Sequence, residues 1–362
     1  MFNKITLDLQ EKSYEIIVGS NILQQLQIFL QTKNYNKIIA ISDKNVIKFH
    51  RQKLKNIVEN IDFVEVEAGE SSKSFAIFEK VCEEILQKNI DRHTLLIAFG
   101  GGVVGDLTGF CASVLLRGID FIQIPTTLLA MVDSSVGGKT AINSNVGKNL
   151  IGSFYQPKLV LCDIDFLETL PLREFRSGYA EIVKYGFIYD KNFFDFLDEN
   201  LMEIFAKNLP ILQKIITRSC EIKAQIVGRD EKENGERALL NFGHTFGHIF
   251  ETETNYSTEI LHGEAVAIGM LMAIQMSVDF GFIDNFEYQK IYNHLQKSGF
   301  ELNLKNIRKN WHQENLIKHL FKDKKIENNQ LTFILLSKIG EAKIHKKISL
   351  ENFLKVLKKF LD

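Results

Sequence analysis

Proline, cysteine and excess charge of either sign are all scarce in this chain, and each scarcity excludes a class of protein. The four cysteines, Cys82, Cys111, Cys162 and Cys220, form no CxxC pair, and each lies in an apolar or helical stretch. They read as reduced, mostly buried thiols, which excludes a disulfide scaffold. No apolar run approaches the roughly 20 residues that a membrane span needs. The first ten residues, MFNKITLDLQ, alternate like a strand and lack the apolar core of a signal peptide. A cytoplasmic protein with no membrane partner is therefore expected. The formal net charge of -1 provides no global basic field for nucleic acid. Internal repeats and low-complexity linkers are absent as well. What remains is a chain of 362 residues, 45% apolar and 25% charged, long enough for two domains with cores that need no staples.

Residues 1–170 read as an α/β domain. Ile5 to Leu9 and Tyr14 to Val18 suggest a hairpin. KIIAIS (37–42), the run from Phe63 to Glu67, TLLIAF (94–99) and Phe121 to Ile124 read as strands. Helical patterns over Phe75 to Lys88 and Asp106 to Arg117 lie among them, which implies a doubly wound, mainly parallel sheet. The texture changes at Pro171, one of only four prolines. Residues 171–362 read as a mostly α-helical second domain. Its helical patterns run over Glu174 to Ile188, Ile211 to Val227, Ala238 to Thr252 and Glu264 to Phe280, with a short hairpin near Thr332 to Ile344.

Gly100, Gly102 and Gly105 fit G-x-G-x-x-G directly after a strand and before a helix. That context suits a dinucleotide, because missing side chains let backbone approach a pyrophosphate whose charge the helix N-terminus favours. No convincing acidic ribose partner follows about 20 residues later; Asp43, ending an earlier strand, is the better candidate. Gly138, Lys139 and Thr140 end like a Walker loop, but Asp133 occupies the place of its first glycine, so that reading fails.

Metal ligands are offered in three places. Glu181 lies on a helix with Lys184 on the same face. His244 and His248 share a face at i, i+4, and His262 opens a helix. A carboxylate plus two imidazoles, with a position left open, is a catalytic divalent-metal set, but spacing alone leaves open which two histidines bind. Arg117, Lys139, Lys148, Lys184, Lys223 and Arg237 flank these motifs. Lys139 in DSSVGGKTA and Lys148 in NVGKNLIG suggest flexible, glycine-rich loops presenting ammonium groups to a phosphorylated, carboxylated substrate.

Six runs in order, GGGVVGD (100–106), IPTTLLAMVDSSVGGKTAIN (124–143), GKNLIGSFYQP (147–157), AEIVKYG (180–186), LLNFGHTFGHIFE (239–251) and HGEAVAIGM (262–270), resemble the sugar-phosphate cyclases and, among them, the 3-dehydroquinate synthases. The resemblance implies a homodimer with an N-terminal NAD-binding domain and a C-terminal metal-binding domain. It implies Glu181, His244 and His262 as ligands of zinc or cobalt, and His248 on the substrate side. It assigns NAD contacts to Asp43, Asn45, Glu70, Lys73, Gly102, Val103, Val104, Gly105, Asp106, Thr126, Thr127, Asp133, Phe166, Leu167, Glu168 and Thr169. Lys139 and Lys148 fall where cofactor meets substrate. Substrate contacts fall on Asn149, Lys184, Lys223, Arg237, Asn241, His248 and one of Lys324 and Lys325, with Arg117 offered across the dimer interface. The implied activity is a carbon–oxygen lyase of the shikimate pathway. It converts 3-deoxy-D-arabino-heptulosonate 7-phosphate to 3-dehydroquinate and phosphate by transient oxidation with NAD, phosphate elimination, re-reduction, ring opening and aldol cyclisation. Another sugar-phosphate cyclase, or a metal- and NAD-dependent polyol dehydrogenase, is the alternative.

Overall fold

The structure, a computed structural model, describes residues 2–323 and 330–362. Its strands are β1 (Phe2–Leu7), β2 (Tyr14–Gly19), β3 (Lys37–Asp43), β4 (Ile61–Val66), β5 (Thr94–Gly100), β6 (Phe121–Pro125), β7 (Lys139–Ser144), β8 (Gly147–Phe154), β9 (Leu159–Asp163), β10 (Gln330–Lys338) and β11 (Glu341–Ser349). Helices α1 (Gln24–Gln31), α2 (Lys44–Lys55), α3 (Phe75–Leu86) and α4 (Gly102–Val114) alternate with the early strands. Then come α5 (Leu172–Ile188), α6 (Lys191–Glu199), α7 (Leu201–Phe205), α8 (Leu209–Arg229), α9 (His244–Glu253) and α10 (His262–Asp279). The last four are α11 (Asn285–Lys297), α12 (Leu304–Ile307), α13 (Gln313–Asp323) and α14 (Leu350–Leu361).

The described chain forms two compact units, Met1–Pro171 with Lys207–Lys232, and Leu172–Ala206 with Glu233–Asp362. Where the sequence suggested one boundary near Pro171, the chain crosses between units three times. The reason is α8, which lies against β1 and β2 of the first unit; Asn3 Nδ2 donates to Thr217 Oγ1 on α8 at 3.1 Å.

A seven-stranded sheet of order β1-β2-β9-β6-β5-β3-β4 forms the first unit, with β1 antiparallel and every other pairing parallel. Every residue of β5, TLLIAFG, is buried, as a parallel strand covered on both faces requires. Ile39, Ile41, Val64, Leu96 and Ala98 join Val104 and Leu107 of α4 in one apolar core. β4 lies on one side of β3, and β5 on the other. In an open α/β sheet this reversal leaves a crevice at the carboxyl ends of the two strands, here at Asp43 and Gly100.

In the second unit α5, α9 and α10 pack together, and the antiparallel hairpin β10–β11 lies against α10. Two expectations change. The helix expected over Ala238 to Thr252 is broken: a 3-10 turn covers Glu236–Asn241, Gly243 takes φ +81°, and α9 begins only at His244. A left-handed residue ends one helical segment and re-aims the next, and glycine adopts it without steric penalty. The glycine-rich loops expected to carry Lys139 and Lys148 are the two strands of an ordered antiparallel hairpin, β7–β8. All four cysteines are free thiols, three buried and Cys82 half-buried. Among the described residues no helix is long and apolar enough to cross a membrane.

Candidate active site

The second unit builds its site from three helices that meet at backbone distance. A Cβ on Gly263 would lie 1.9 Å from the Ser177 carbonyl oxygen, and one on Gly269 would lie 2.1 Å from that of Gly243. Glycine at these points is what lets α10 close onto α5 and α9. The Gly263 N–H also donates to Ser177 Oγ at 2.9 Å, tying the first turn of α10 to α5. The helices bring Glu181, His244 and His262 to one place: one donor atom from each lies within 4.8 Å of the others.

His244 Nε2 stands 3.6 Å from Glu181 Oε1, and His262 Nε2 stands 3.5 Å from the same oxygen. The other ring nitrogens are engaged elsewhere. His244 Nδ1 is 3.2 Å from the Phe242 carbonyl oxygen, and His262 Nδ1 is 3.2 Å from Glu251 Oε2. A carbonyl only accepts, so the Nδ1 of His244 carries the proton and its Nε2 presents a lone pair. At His262 the Glu251 carboxylate likewise accepts from Nδ1–H, so Nε2 is the atom that can bind an ion once it gives up its own proton. Two Nε2 atoms and one carboxylate oxygen converge, with Glu181 and His244 buried and His262 half-buried, and fit a divalent cation of the zinc or cobalt type that displaces the His262 proton, with a position left for another oxygen.

In the metal-free chain the two imidazoles are driven in opposite directions. Burial, then the Lys184 ammonium, holds His244 down at about 3. Burial also opposes charge on His262, but Glu251 and Glu181 overcome it and raise that group to about 10. Lys184 forms an ion pair with Glu181, and both side chains are almost wholly buried. His248 lies beside the set, its ring 5.3 Å from that of His244, but is not among the three that converge. Arg237, only 2% exposed, is not a solvated surface charge.

Two carboxylates escaped the sequence reading. Glu251 stands seven residues after His244 and so on the same helical face, a spacing that could have revealed it. Glu233 accepts a hydrogen bond from Asn241 Nδ2; it lies before the 3-10 turn, where periodicity carries no signal. Lys324 and Lys325 lie outside the described residues.

The first unit assembles a different kind of site at the carboxyl ends of its strands. Gly102 to Asp106 form the first turns of α4, just beyond β5. A Cβ on Gly102 would come within 2.9 Å of Ser134 Oγ, a cradle that only glycine leaves open. Thr126 Oγ1 and Ser134 Oγ are buried with no hydrogen-bond partner among the described residues. Thr126 follows β6, and its N–H donates to the Gly100 carbonyl. Backbone N–H groups at a helix start, beside orphaned hydroxyls, fit the phosphates of a dinucleotide. Asp43 Oδ1 caps α2, accepting from the N–H groups of Asn45 and Val46 at 2.9 and 3.1 Å.

Around this crevice the polar residues are linked. Lys73 Nζ stands 2.6 Å from Asp106 Oδ2 and also donates to Asn149. Glu70 accepts from Asn143 Nδ2 at 2.8 Å. Lys223 donates to the side chain and the carbonyl of Asp133, both at 2.6 Å. Thr127 Oγ1 accepts from the Ala130 N–H. Val104, Phe166 and Leu167 are core side chains, leaving only their backbone for a ligand, whereas Val103 is half-buried and Glu168 is exposed. Lys139 and Arg117 are exposed and Lys148 is half-buried. Arg117 and its neighbour Leu116 both sit in the left-handed region, at φ 69° and 50°. Such backbone is costly for bulky residues and ends the helical path that α4 began.

Comparison with known proteins separates the fold from the family. A crystal structure of a 2-deoxy-scyllo-inosose synthase complexed with carbaglucose-6-phosphate, NAD+ and Co2+ matches with a TM-score of 0.90, covering 100% of both chains at 24% identity. At that identity the likeness speaks for the fold alone. The 3-dehydroquinate synthase of Bartonella bacilliformis is 48% identical over 98% of this chain and 97% of its own, and that of Bartonella quintana is 47% identical over 99% and 98%. Family models for the 3-dehydroquinate synthase N-terminal and C-terminal regions match residues 63–177 and 178–326 in turn. On full-length likeness and on both family models, the chain belongs to the 3-dehydroquinate synthase family.

Proposed function

We propose that this chain converts 3-deoxy-D-arabino-heptulosonate 7-phosphate to 3-dehydroquinate and phosphate, in the cytoplasm, as a homodimer that uses NAD and zinc or cobalt. The observation that carries this reading is the convergence of Glu181, His244 and His262 on one point, in a chain whose full-length relatives bear that activity in their names. When bound, the dinucleotide supplies a reversible hydride acceptor and the divalent ion supplies Lewis acidity at the hydroxyl to be oxidised. Glu181 and the Nε2 atoms of His244 and His262 hold the ion. The helix start at Gly102 to Asp106, Thr126, Thr127 and Asp43 hold the dinucleotide, with Lys73 and Glu70 fixing Asp106 and Asn143 around it.

The rest is orientation of an anionic substrate. Lys184, beside Glu181, and Arg237 are cations buried in the second unit, and they serve the carboxylate and phosphate of the substrate. Lys139, Lys148, Lys223 and Asn149 supply further anion and hydroxyl contacts, and Arg117 the contact offered to a second copy. His248 and Asn241 hydrogen-bond ring hydroxyls, and Glu233 sets the Asn241 amide. Dialysis against a strong chelator tests the reading. Phosphate release from the heptulosonate should stop and should return with zinc or cobalt in the presence of NAD. Full release from the metal-free protein would overturn it.

A further inference from the structure

We propose that Glu251 is a positioning residue for the metal centre: its carboxylate holds His262 by Nδ1 so that Nε2 faces Glu181. The inference rests on the metal reading above and extends it to a residue beyond the ligands. Both histidines need Nδ1 tied down, and the chain does it in two ways. His244 is tied to a backbone carbonyl, that of Phe242, within its own chain segment. Its side chain is only 11% exposed, so packing also restrains the ring. His262 stands at the first position of α10 with its side chain 30% exposed, and so has rotamers to choose among. Its tether is a side chain on another helix, Glu251 of α9, which is 4% exposed.

A carboxylate at that depth is costly unless it is paired, and His262 Nδ1 stands within hydrogen-bond distance of it. An acceptor on Nδ1 fixes the tautomer and ring orientation of a ligating imidazole, and a charged acceptor also strengthens the donor at the other nitrogen. Glu251 thus gives the looser of the two histidines both its orientation and its donor strength.

Glu251→Gln keeps the volume and one acceptor oxygen but removes the charge. In the full-length protein, zinc affinity measured by competition with a chromophoric chelator should fall roughly 10–100-fold. Thermal unfolding of the metal-free variant, recorded beside it, shows that the variant is folded. With cobalt at saturation, the visible absorption bands should shift, since the His262 donor has changed. A zinc affinity within twofold of wild type, with unshifted cobalt bands, would overturn the proposal. Should the variant not fold, 15N NMR of the zinc-loaded wild type decides the matter: the proton of His262 must be on Nδ1, and zinc on Nδ1 would overturn it. Failure of the parent reading looks different, because then neither wild type nor His262→Ala binds zinc stoichiometrically, and both readings fall together.

Discussion

The two candidate sites, one in each unit, are built to hold a charged group in opposite ways. The first uses backbone: a helix start, glycines that leave room, and hydroxyls at Thr126 and Ser134 without partners among the described residues. The second uses side chains, three donors on three helices locked at backbone distance by Gly263 and Gly269. A backbone site tolerates change in the residues around it and fails when the chain path moves. A side-chain site fails atom by atom. Substitutions should therefore separate the two sites cleanly.

The largest effect belongs to the ligands. His262→Ala should leave no stoichiometric zinc and no turnover while still binding the dinucleotide. His248→Ala should keep its zinc and lose turnover. Equal zinc loss in both variants, read by atomic absorption after gel filtration, would put His248 inside the metal set and remove the contrast.

Next comes the scaffold. Gly263→Ala forces a methyl group to within 1.9 Å of a carbonyl oxygen, so α10 must back away from α5. Overpacking of this kind costs roughly 1–3 kcal/mol. The expected result is a lower unfolding midpoint and weaker zinc binding, with dinucleotide affinity unchanged. A neutral outcome would show that the three helices do not set the donor geometry.

A smaller effect should come from the first unit. Lys73→Met keeps the aliphatic stem but leaves the Asp106 carboxylate without its ammonium. Losing one partner of a charged hydrogen bond costs about 1–3 kcal/mol. Dinucleotide affinity should therefore fall roughly tenfold or more, while zinc content stays stoichiometric. Reduced zinc content would join what the comparison holds apart.

The smallest effect is a dependence on pH. His50 is buried beside Phe166 and bonds Thr169 Oγ1 at 2.8 Å. Burial, then Lys53, lowers it from the ordinary value to about 4. The unfolded chain therefore takes up this proton first, and the stability it withholds is lost as pH falls from about 6.5 to about 4. His50→Phe should make acid-induced loss of stability in that window smaller by roughly 2 kcal/mol, measured by urea unfolding at pH 7 and pH 4.5. An identical acid profile would show that His50 is not the titrating group.

What the sequence revealed follows the same division. KIIAIS and TLLIAF could be read because strands in the middle of a parallel sheet are mainly apolar. The helix expected from Asp106 to Arg117 runs instead from Gly102 to Val114: Gly102 and Gly105, which read as loop, lie inside its first turns. The β7–β8 hairpin escaped because glycines and lysines in DSSVGGKTA and NVGKNLIG look like loop, whereas Gly137 and Gly138 at positive φ launch a strand. The start of α9 was placed too early because Ala238 to Asn241 have helical propensity, and only the left-handed Gly243 cuts them off. The metal set was legible as residue types but not as a choice. His244 and His248 share a face at i, i+4, yet the second converging histidine comes from α10. That selection is a tertiary fact, set by close helix packing, and in the sequence only the family resemblance pointed to it.

One measurement tests the central claim that the two sites serve a single reaction in which the hydride comes back. With enzyme far below the heptulosonate and NAD equal to enzyme, many equivalents of phosphate should appear, while NADH absorbance never exceeds the cofactor supplied. A substrate deuterated at the oxidised carbon should keep its label in the product. With NAD in excess, NADH accumulating in step with substrate loss, or deuterium passing into free cofactor, would contradict the account and make the chain a dehydrogenase.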